Sequence, residues 1–319
     1  MSGTTTTSTF IWVTSFCAVL SGLALLYTVT LWILIYTYRQ KPIVAMSQPV
    51  FLYNICGGSL LIVLSMIANI CVLANSELYS IDDNGVTTTT STMSNLSLLI
   101  LCDIHSWAVT IGLALVFTAL LCKIYRIKLI TDQPLRRGVK ILPKHVMIPY
   151  AIIMVTIITL LIVWFIIKYV TNLYTEEPYA KSCITHNKLH IIFTNVINGL
   201  IGCVSIAVTI LAWKIRHINE ELGDSKRILS LAVYEFFLFA IIGNTLNVVL
   251  LPHIYNMENL KIQLAVLDAY DTIFSFLLVI GGISFIVLPR IYFVWYEYKH
   301  GHYPEGVEMI GTGRTTANP

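Results

Sequence analysis

Seven long apolar stretches dominate this sequence and limit the folds that it can adopt. A helix needs about 20 apolar residues to cross the ~30 Å hydrocarbon layer of a bilayer, and each stretch is long enough. Strands of a membrane barrel are only ~10 residues long and alternate polar with apolar residues, whereas these stretches are continuously apolar. The sequence therefore predicts an all-α fold, a seven-transmembrane helix bundle. The predicted spans, TM1 to TM7, cover approximately residues 10–36, 50–74, 96–124, 146–170, 190–213, 228–251 and 262–288.

The composition agrees with helices that face lipid. Hydrophobic residues make up 56% of the chain and charged residues only 12%, against about 25% charged residues in soluble domains. A formal net charge of +3 is too small to indicate nucleic acid binding. We therefore expect a multi-pass protein of the lipid bilayer, located in the plasma membrane, with no nucleic acid partner.

The distribution of Lys and Arg predicts the side of the membrane on which each end lies. Sixteen of the 20 basic residues lie at the connections after TM1, TM3, TM5 and TM7, and four lie at the others. Basic residues are retained on the cytoplasmic side. The pattern therefore places the N-terminus outside and the C-terminus in the cytoplasm.

The predicted organisation has one transmembrane domain with short ends. Residues 1–9 form a short Thr-rich extracellular N-terminus, residues 10–295 the seven-helix domain, and residues 296–319 a short cytoplasmic tail. No basic residue precedes the first apolar stretch, which is also longer than the apolar core of a signal peptide. We therefore interpret this stretch as a true span.

Short motifs near the helix ends follow one another in a distinctive order. They are Cys102 with Trp107, Lys123 with Arg126, Cys183 with His186, Trp213 with Arg216, the run Asp224-Ser225-Lys226, Tyr234, the step Ile241-Ile242-Gly243, and Leu288-Pro289-Arg290. Together they resemble the transmembrane domain of class C G-protein-coupled receptors, and within that class the GABA-B-like branch. The family normally carries a large extracellular ligand-binding domain before TM1. Only residues 1–9 precede TM1 here, so we expect the usual agonist site to be absent.

The resemblance implies a disulfide between Cys102, in the outer turns of TM3, and Cys183, in the loop before TM5. Both cysteines are expected on the oxidising side of the membrane, where disulfides persist. Such a bridge would tie the outer loop over the helix bundle. Spacing alone leaves two unrelated thiols as the alternative.

The resemblance also implies an ion pair at the inner ends of the helices. Lys123 ends TM3 and Asp224 precedes TM6, and in the family such a pair holds the resting state. Ser47, in the first inner loop, is expected to add a hydrogen bond. Without the resemblance, both charges are better explained as ordinary end charges that reach the headgroup region.

Basic residues concentrate at the inner side, seven of them between residues 123 and 144. This exceeds what the orientation requires and suits an acidic partner or anionic lipid headgroups. We interpret the surface as facing a heterotrimeric G protein, the partner that the resemblance implies. The resemblance also allows a homodimer or a heterodimer with another class C subunit. The residues assigned to the G-protein-facing surface are Arg126, Lys128, Arg136, Arg137, Lys140, Arg216, Lys226 and Arg227.

Polar residues in the outer half of the spans mark a candidate pocket, because polar groups in lipid are costly and usually functional. Asp268 and Asp271 on TM7 are three residues apart and share one helix face. Hydrogen bonding between helices explains the asparagines at least as well as a ligand does. The other members come from TM3, TM5 and TM6, where the family has an allosteric pocket: Asp103, Trp107, Asn198, Asn244 and Asn247.

A receptor is not the only function that seven spans allow. The alternative is an ion-coupled carrier with Asp268 and Asp271 as its ion site, although carriers often contain repeats and interrupted helices that this sequence lacks. A retinal protein is excluded, because TM7 has no Lys between Lys261 and Lys299. No sequence motif of an intramembrane enzyme or a metal centre is present, so we expect no enzymatic activity, no metal and no cofactor.

Overall fold

The computed structural model of the chain describes residues 3–41, 44, 49–76, 95–131, 143–171, 188–215, 230–231, 233–234, 238 and 260–301. These residues are helical with short turns and contain no strand, which confirms the predicted all-α class. The predicted TM6 lies mostly outside them. The observed helices are Gly3–Thr37 (TM1), Pro49–Ser76 (TM2), Asn95–Thr131 (TM3), Pro143–Val170 (TM4), Lys188–Ile215 (TM5), Leu260–Ile286 (TM7) and Leu288–His300 (the C-terminal helix).

Six of these helices are long and apolar enough to cross a membrane. Each matches a predicted span to within a few residues at most ends, so the chain is a multi-pass integral membrane protein. The sidedness of its ends stays a prediction. The apolar segments are Ile11–Thr37, Val50–Ala74, Ile100–Leu129, Met147–Val170, Asn195–Lys214 and Val266–Ile286.

TM3 occupies the middle of the described bundle. It packs against TM2, TM4 and TM5, while TM2 also packs against TM1 and TM7. Of the most apolar window of each helix, 67% is buried for TM3 but only 22% for TM4. Polar side chains on TM3 therefore meet other helices, whereas most of TM4 lies at the surface of the bundle.

TM2 and TM3 approach each other closely at two glycines, Gly58 and Gly112. A Cβ atom added to Gly58 would lie 2.6 Å from the carbonyl oxygen of Gly112, and one added to Gly112 would lie 2.6 Å from that of Gly58. Lipid tails are as apolar as side chains, so helices in a membrane associate largely through such close van der Waals packing. Only glycine at both positions allows the two backbones to approach this far.

TM7 continues almost directly into the C-terminal helix. Leu260–Ile286 ends one residue before Val287, which is the N-cap of Leu288–His300, and Pro289 lies in the first turn of that second helix. Proline is tolerated there because the first N–H groups of a helix lack intrahelical acceptors in any case. The helix runs past the predicted boundary at residue 295 into the segment assigned to the tail.

The C-terminal helix is capped and linked to the residues after TM1. Gly301 has a φ of 74°, and its N–H donates to the carbonyl of Glu297 at 2.9 Å. Lys41 Nζ lies 3.3 Å from Glu297 Oε2. Both side chains are accessible, so this ion pair adds little stability, but it shows that the C-terminal helix lies next to the residues that follow TM1.

Candidate functional site

Lys123 is buried at the end of TM3 that is predicted to be cytoplasmic. Its relative exposure is 6%, and its neighbours Cys122 and Ile124 are fully buried. Lysine is almost never so buried unless its ammonium is paired. The predicted partners Asp224 and Ser47 lie outside the described residues, so the ion pair stays a prediction, and burial of Lys123 is the feature that such a pair requires.

Two of the residues assigned to the G-protein surface follow Lys123 on TM3. Arg126 and Lys128 are half-buried in the last turns of that helix. Among the described residues, Nε of Arg126 is buried with no hydrogen-bond partner. The remaining members of the set lie outside the described residues: Arg136, Arg137, Lys140, Arg216, Lys226 and Arg227.

Cys102 is fully buried and takes part in a disulfide. Its predicted partner, Cys183, lies outside the described residues. The pairing of these two cysteines therefore stays a prediction.

Asp103 and Trp107 both contact TM4. Lys168 Nζ lies 2.8 Å from Asp103 Oδ1, and Lys168 is only 1% exposed. The same ammonium lies 5.5 Å from the centre of the Trp164 ring. Trp107 packs edge-on against Phe165, with 6.4 Å between ring centres. The TM3–TM4 interface thus contains a buried ion pair flanked by aromatic side chains.

Asp268 lies buried between TM7, TM1 and TM2, with a relative exposure of 6%. Its Oδ1 accepts a hydrogen bond from the side-chain amide of Asn69 on TM2. Its Oδ2 has no hydrogen-bond partner among the described residues. The Cys17 thiol of TM1 lies beside Asp268 and Thr272. Oδ1 of Asp268 is therefore hydrogen-bonded to TM2, and Oδ2 is buried among groups of TM1 and TM7.

Asp271, one turn further along TM7, faces His105 of TM3. His105 Nε2 lies 3.9 Å from Asp271 Oδ2, and His105 Nδ1 lies 3.0 Å from the main-chain carbonyl oxygen of Ser65 on TM2. This Oδ2 is buried with no hydrogen-bond partner among the described residues. His105 thus links TM2 to the second TM7 acid.

A family comparison agrees with this architecture. A protein-family model described as "7 transmembrane sweet-taste receptor of 3 GCPR" matches residues 8–290, most of the chain. The chain belongs to this family. Its members are class C G-protein-coupled receptors, so the predicted seven-helix class and receptor family are confirmed, and the carrier alternative is disfavoured. No curated protein is similar enough to match the chain.

In this class C bundle, the contacts of the two TM7 acids run to TM1, TM2 and TM3. Asn198 is half-buried on TM5, and Asn244 and Asn247 lie outside the described residues. The predicted convergence of TM3, TM5, TM6 and TM7 on one pocket therefore stays a prediction. Within the described parts of the chain, no three His, Cys, Asp or Glu side chains are arranged to hold a metal ion.

Three polar partners in these clusters were not predicted from the sequence: Asn69, His105 and Lys168. A signal for each was present, because an amide, an imidazole or an ammonium inside or at the end of an apolar span usually faces the bundle interior. Their partners could not be chosen from that signal, since it does not tell which helix each side chain faces.

Proposed function

We propose that this class C receptor couples a rearrangement of its helix bundle to a heterotrimeric G protein at the cytoplasmic surface of the plasma membrane. The observation that carries the proposal is the burial of Lys123 at the inner end of TM3. A buried ammonium is strongly destabilising without a partner, so its environment must change when the inner ends separate. As part of the same proposal, we assign the receptor to the GABA-B-like branch of class C.

The resting state is held by an ion pair between Lys123 and Asp224, with Ser47 as a further hydrogen-bond partner. Away from bulk water the effective dielectric is low, so the attraction between two such charges exceeds that of a surface pair, although desolvation offsets part of the gain. Separation of the inner ends of TM3 and TM6 would hydrate both charges. It would also open a cleft for the G protein.

The basic residues beyond Lys123 then face the G protein. Arg126 and Lys128 continue TM3 towards the second inner loop, where four further basic residues follow, three of them assigned to this surface: Arg136, Arg137 and Lys140. Positive charge near the surface attracts acidic groups of a partner, and it also attracts anionic lipids. A second subunit of the same class, carrying a ligand-binding domain, would supply the signal that moves the bundle.

The test is G-protein activation without ligand, measured at matched surface expression. We expect Asp224→Ala and Lys123→Ala to raise basal activation, because each removes one partner of the resting pair. A charge swap, Lys123→Asp with Asp224→Lys, should bring basal activation part of the way back towards the wild-type level. Lys41→Ala is the matched control, since it removes an inner-side lysine whose ion pair with Glu297 is accessible to water.

Additive effects of the two single substitutions, without recovery in the charge swap, would show that the charges do not interact. Lys123 would then be an ordinary end charge. A rise in basal activation with Lys41→Ala would indicate a general loosening of the inner ends rather than loss of one pair.

A further inference from the structure

The contact of His105 with Ser65 determines which ring nitrogen carries hydrogen. A carbonyl oxygen accepts and cannot donate, so the Nδ1 atom 3.0 Å from the Ser65 oxygen must be the protonated one. In a neutral imidazole the other nitrogen is then an acceptor. Nε2 of neutral His105 therefore carries a lone pair, and Oδ2 of Asp271 lies 3.9 Å from it.

Two acceptors thus face each other between TM3 and TM7. His105 Nε2 and Asp271 Oδ2 are 3.9 Å apart, and Oδ2 is buried without a hydrogen-bond donor among the described residues. A buried acceptor without a donor costs about 1–3 kcal/mol, more when it is charged. A proton on Nε2 turns this repulsion into attraction, and the two atoms can then close from 3.9 Å to the ~2.8 Å of a charge-assisted hydrogen bond.

We propose that His105 and Asp271 form a proton-binding site that joins TM3 to TM7. The proton comes from water and adds to Nε2, which then donates to Asp271 Oδ2. No covalent bond other than N–H forms, no group leaves, and the charge of the pair changes from −1 to zero. The pair acts as a latch, closed in acid and open in base.

The accessibility of the pair fits exchange of a proton with solvent. The side chain of His105 is 18% exposed and that of Asp271 is 37% exposed, although Oδ2 itself is buried. By the predicted orientation both lie in the outer half of the bundle. Imidazole is the side chain that ordinarily changes charge between pH 5 and 8, so extracellular pH would control the latch.

The groups around the pair favour one added positive charge. Asp268 and Tyr270 on TM7 and Cys17 on TM1 are near enough to interact electrostatically with Asp271. From TM2 the neighbours are neutral, Ser65 and Asn69. At the outer ends of TM3 and TM4, Asp103 and Lys168 neutralise each other. Among the described residues, neither Asp268 nor Asp271 forms an ion pair with a Lys or an Arg.

The test is thermal unfolding of the full chain in lipid nanodiscs between pH 8 and pH 5.5. The unfolded chain contains the same imidazole but does not hold Asp271 beside it, so a folded protein that forms the pair binds the proton more tightly than the unfolded chain and is stabilised as the pH falls. We expect the apparent Tm of the wild type to rise by about 2–4 °C relative to His105→Gln over this range.

Asp271→Asn provides a second variant with a different expected result. Its side-chain amide can donate to Nε2 of neutral His105, which imitates the protonated pair. Its apparent Tm should show no pH-dependent gain and should match the acidic wild type already at pH 8. His300→Gln is the matched control, because His300 lies exposed at the end of the C-terminal helix, and its pH profile should follow the wild type.

Parallel pH profiles for the wild type and His105→Gln would overturn the proposal. So would a difference that follows Na⁺ concentration at constant pH, tested by replacing Na⁺ with choline, because the site would then bind a metal cation. Asp271→Asn keeps the test decisive if His105→Gln is not recovered folded. Unfolding is measured without any G protein, so the result is independent of the proposed coupling.

Discussion

Replacing Gly112 with alanine should force TM3 away from TM2. The added Cβ would lie 2.6 Å from the Gly58 carbonyl oxygen and 2.8 Å from Cγ1 of Ile62. Ordinary contact begins at 3.4 Å, so the helices must separate locally by about 0.8 Å, the difference between 2.6 and 3.4 Å. The Ile62 side chain can rotate, but the carbonyl belongs to the helix backbone and cannot.

The size of the effect follows from two opposing contributions. Forcing an extra carbon into a packed interface costs about 1–3 kcal/mol. Alanine in place of glycine within a helix recovers about 0.5–1 kcal/mol. We therefore expect a net loss of about 1–2 kcal/mol for Gly112→Ala, and a similar loss for Gly58→Ala. For a chain of 319 residues, with an unfolding entropy of about 2.1 cal/mol/K per residue, that corresponds to a fall in Tm of roughly 1.5–3 °C.

Gly57→Ala is the matched control, because Gly57 is the neighbour of Gly58 on TM2. Its Cβ would lie 3.8 Å from the Trp32 ring, an ordinary van der Waals contact. This substitution should leave the Tm unchanged or raise it slightly, because only the helix-propensity gain remains. The double variant Gly58→Ala with Gly112→Ala should lose less than the sum of the single variants, since one separation of the helices relieves both clashes.

Thermal unfolding can be followed with a thiol-reactive fluorophore, because Cys17 and Cys56 are buried, unbonded thiols that become reactive on unfolding. The reasoning would be refuted if Gly112→Ala unfolded at the same temperature as Gly57→Ala. Strict additivity of the Gly58 and Gly112 variants would refute the specific claim that both clashes arise from one close approach.

Two further predictions concern the outer end of the bundle. Lys168→Met should destabilise the protein by about 3 kcal/mol, because it removes the lysine that pairs with Asp103, an acid only 19% exposed. The double variant Lys168→Met with Asp103→Leu should recover most of this loss. The control Lys41→Met, at an accessible ion pair, should cost less than about 1 kcal/mol. Unequal Tm values of this kind confirm the buried pair, whereas equal losses for Lys168→Met and Lys41→Met contradict it. Non-reduced peptide mass spectrometry should find Cys102 joined to Cys183, and both thiols in reduced form would exclude that disulfide.

The number of spans and the fold class could be predicted from the sequence, because bilayer thickness requires about 20 apolar residues in each helix. The hydrophobicity summed over about 20 residues changes little when the ends of a span are misplaced by a few residues. The observed helices differ from the predicted spans mainly at these ends. TM7 is the clearest case: the predicted span stops near Pro289, yet the chain stays helical to His300. A proline in the sequence predicts the end of a helix, although proline in the first turn is compatible with the start of a new helix.

Membership of the class C family was also readable in the sequence, since its motifs lie at helix ends in a fixed order. The burial of Lys123 agrees with the position that these motifs assign to it. Motifs identify positions along a helix, however, and give no information on the rotation of that helix about its axis.

Helix rotation, and with it the pairing of polar groups, was decided by the tertiary structure alone. TM3 is apolar on nearly every side, so its 3.6-residue periodicity gives no sign that His105 faces TM7 or that Asp103 faces TM4. These pairings depend on how far two backbones approach, and the approach of TM2 to TM3 is set by Gly58 and Gly112. The sequence determined which segments cross the bilayer, because the insertion of a helix into lipid depends on the length and hydrophobicity of that segment alone. The packed bundle determined which polar groups meet because that choice depends on several helices at once.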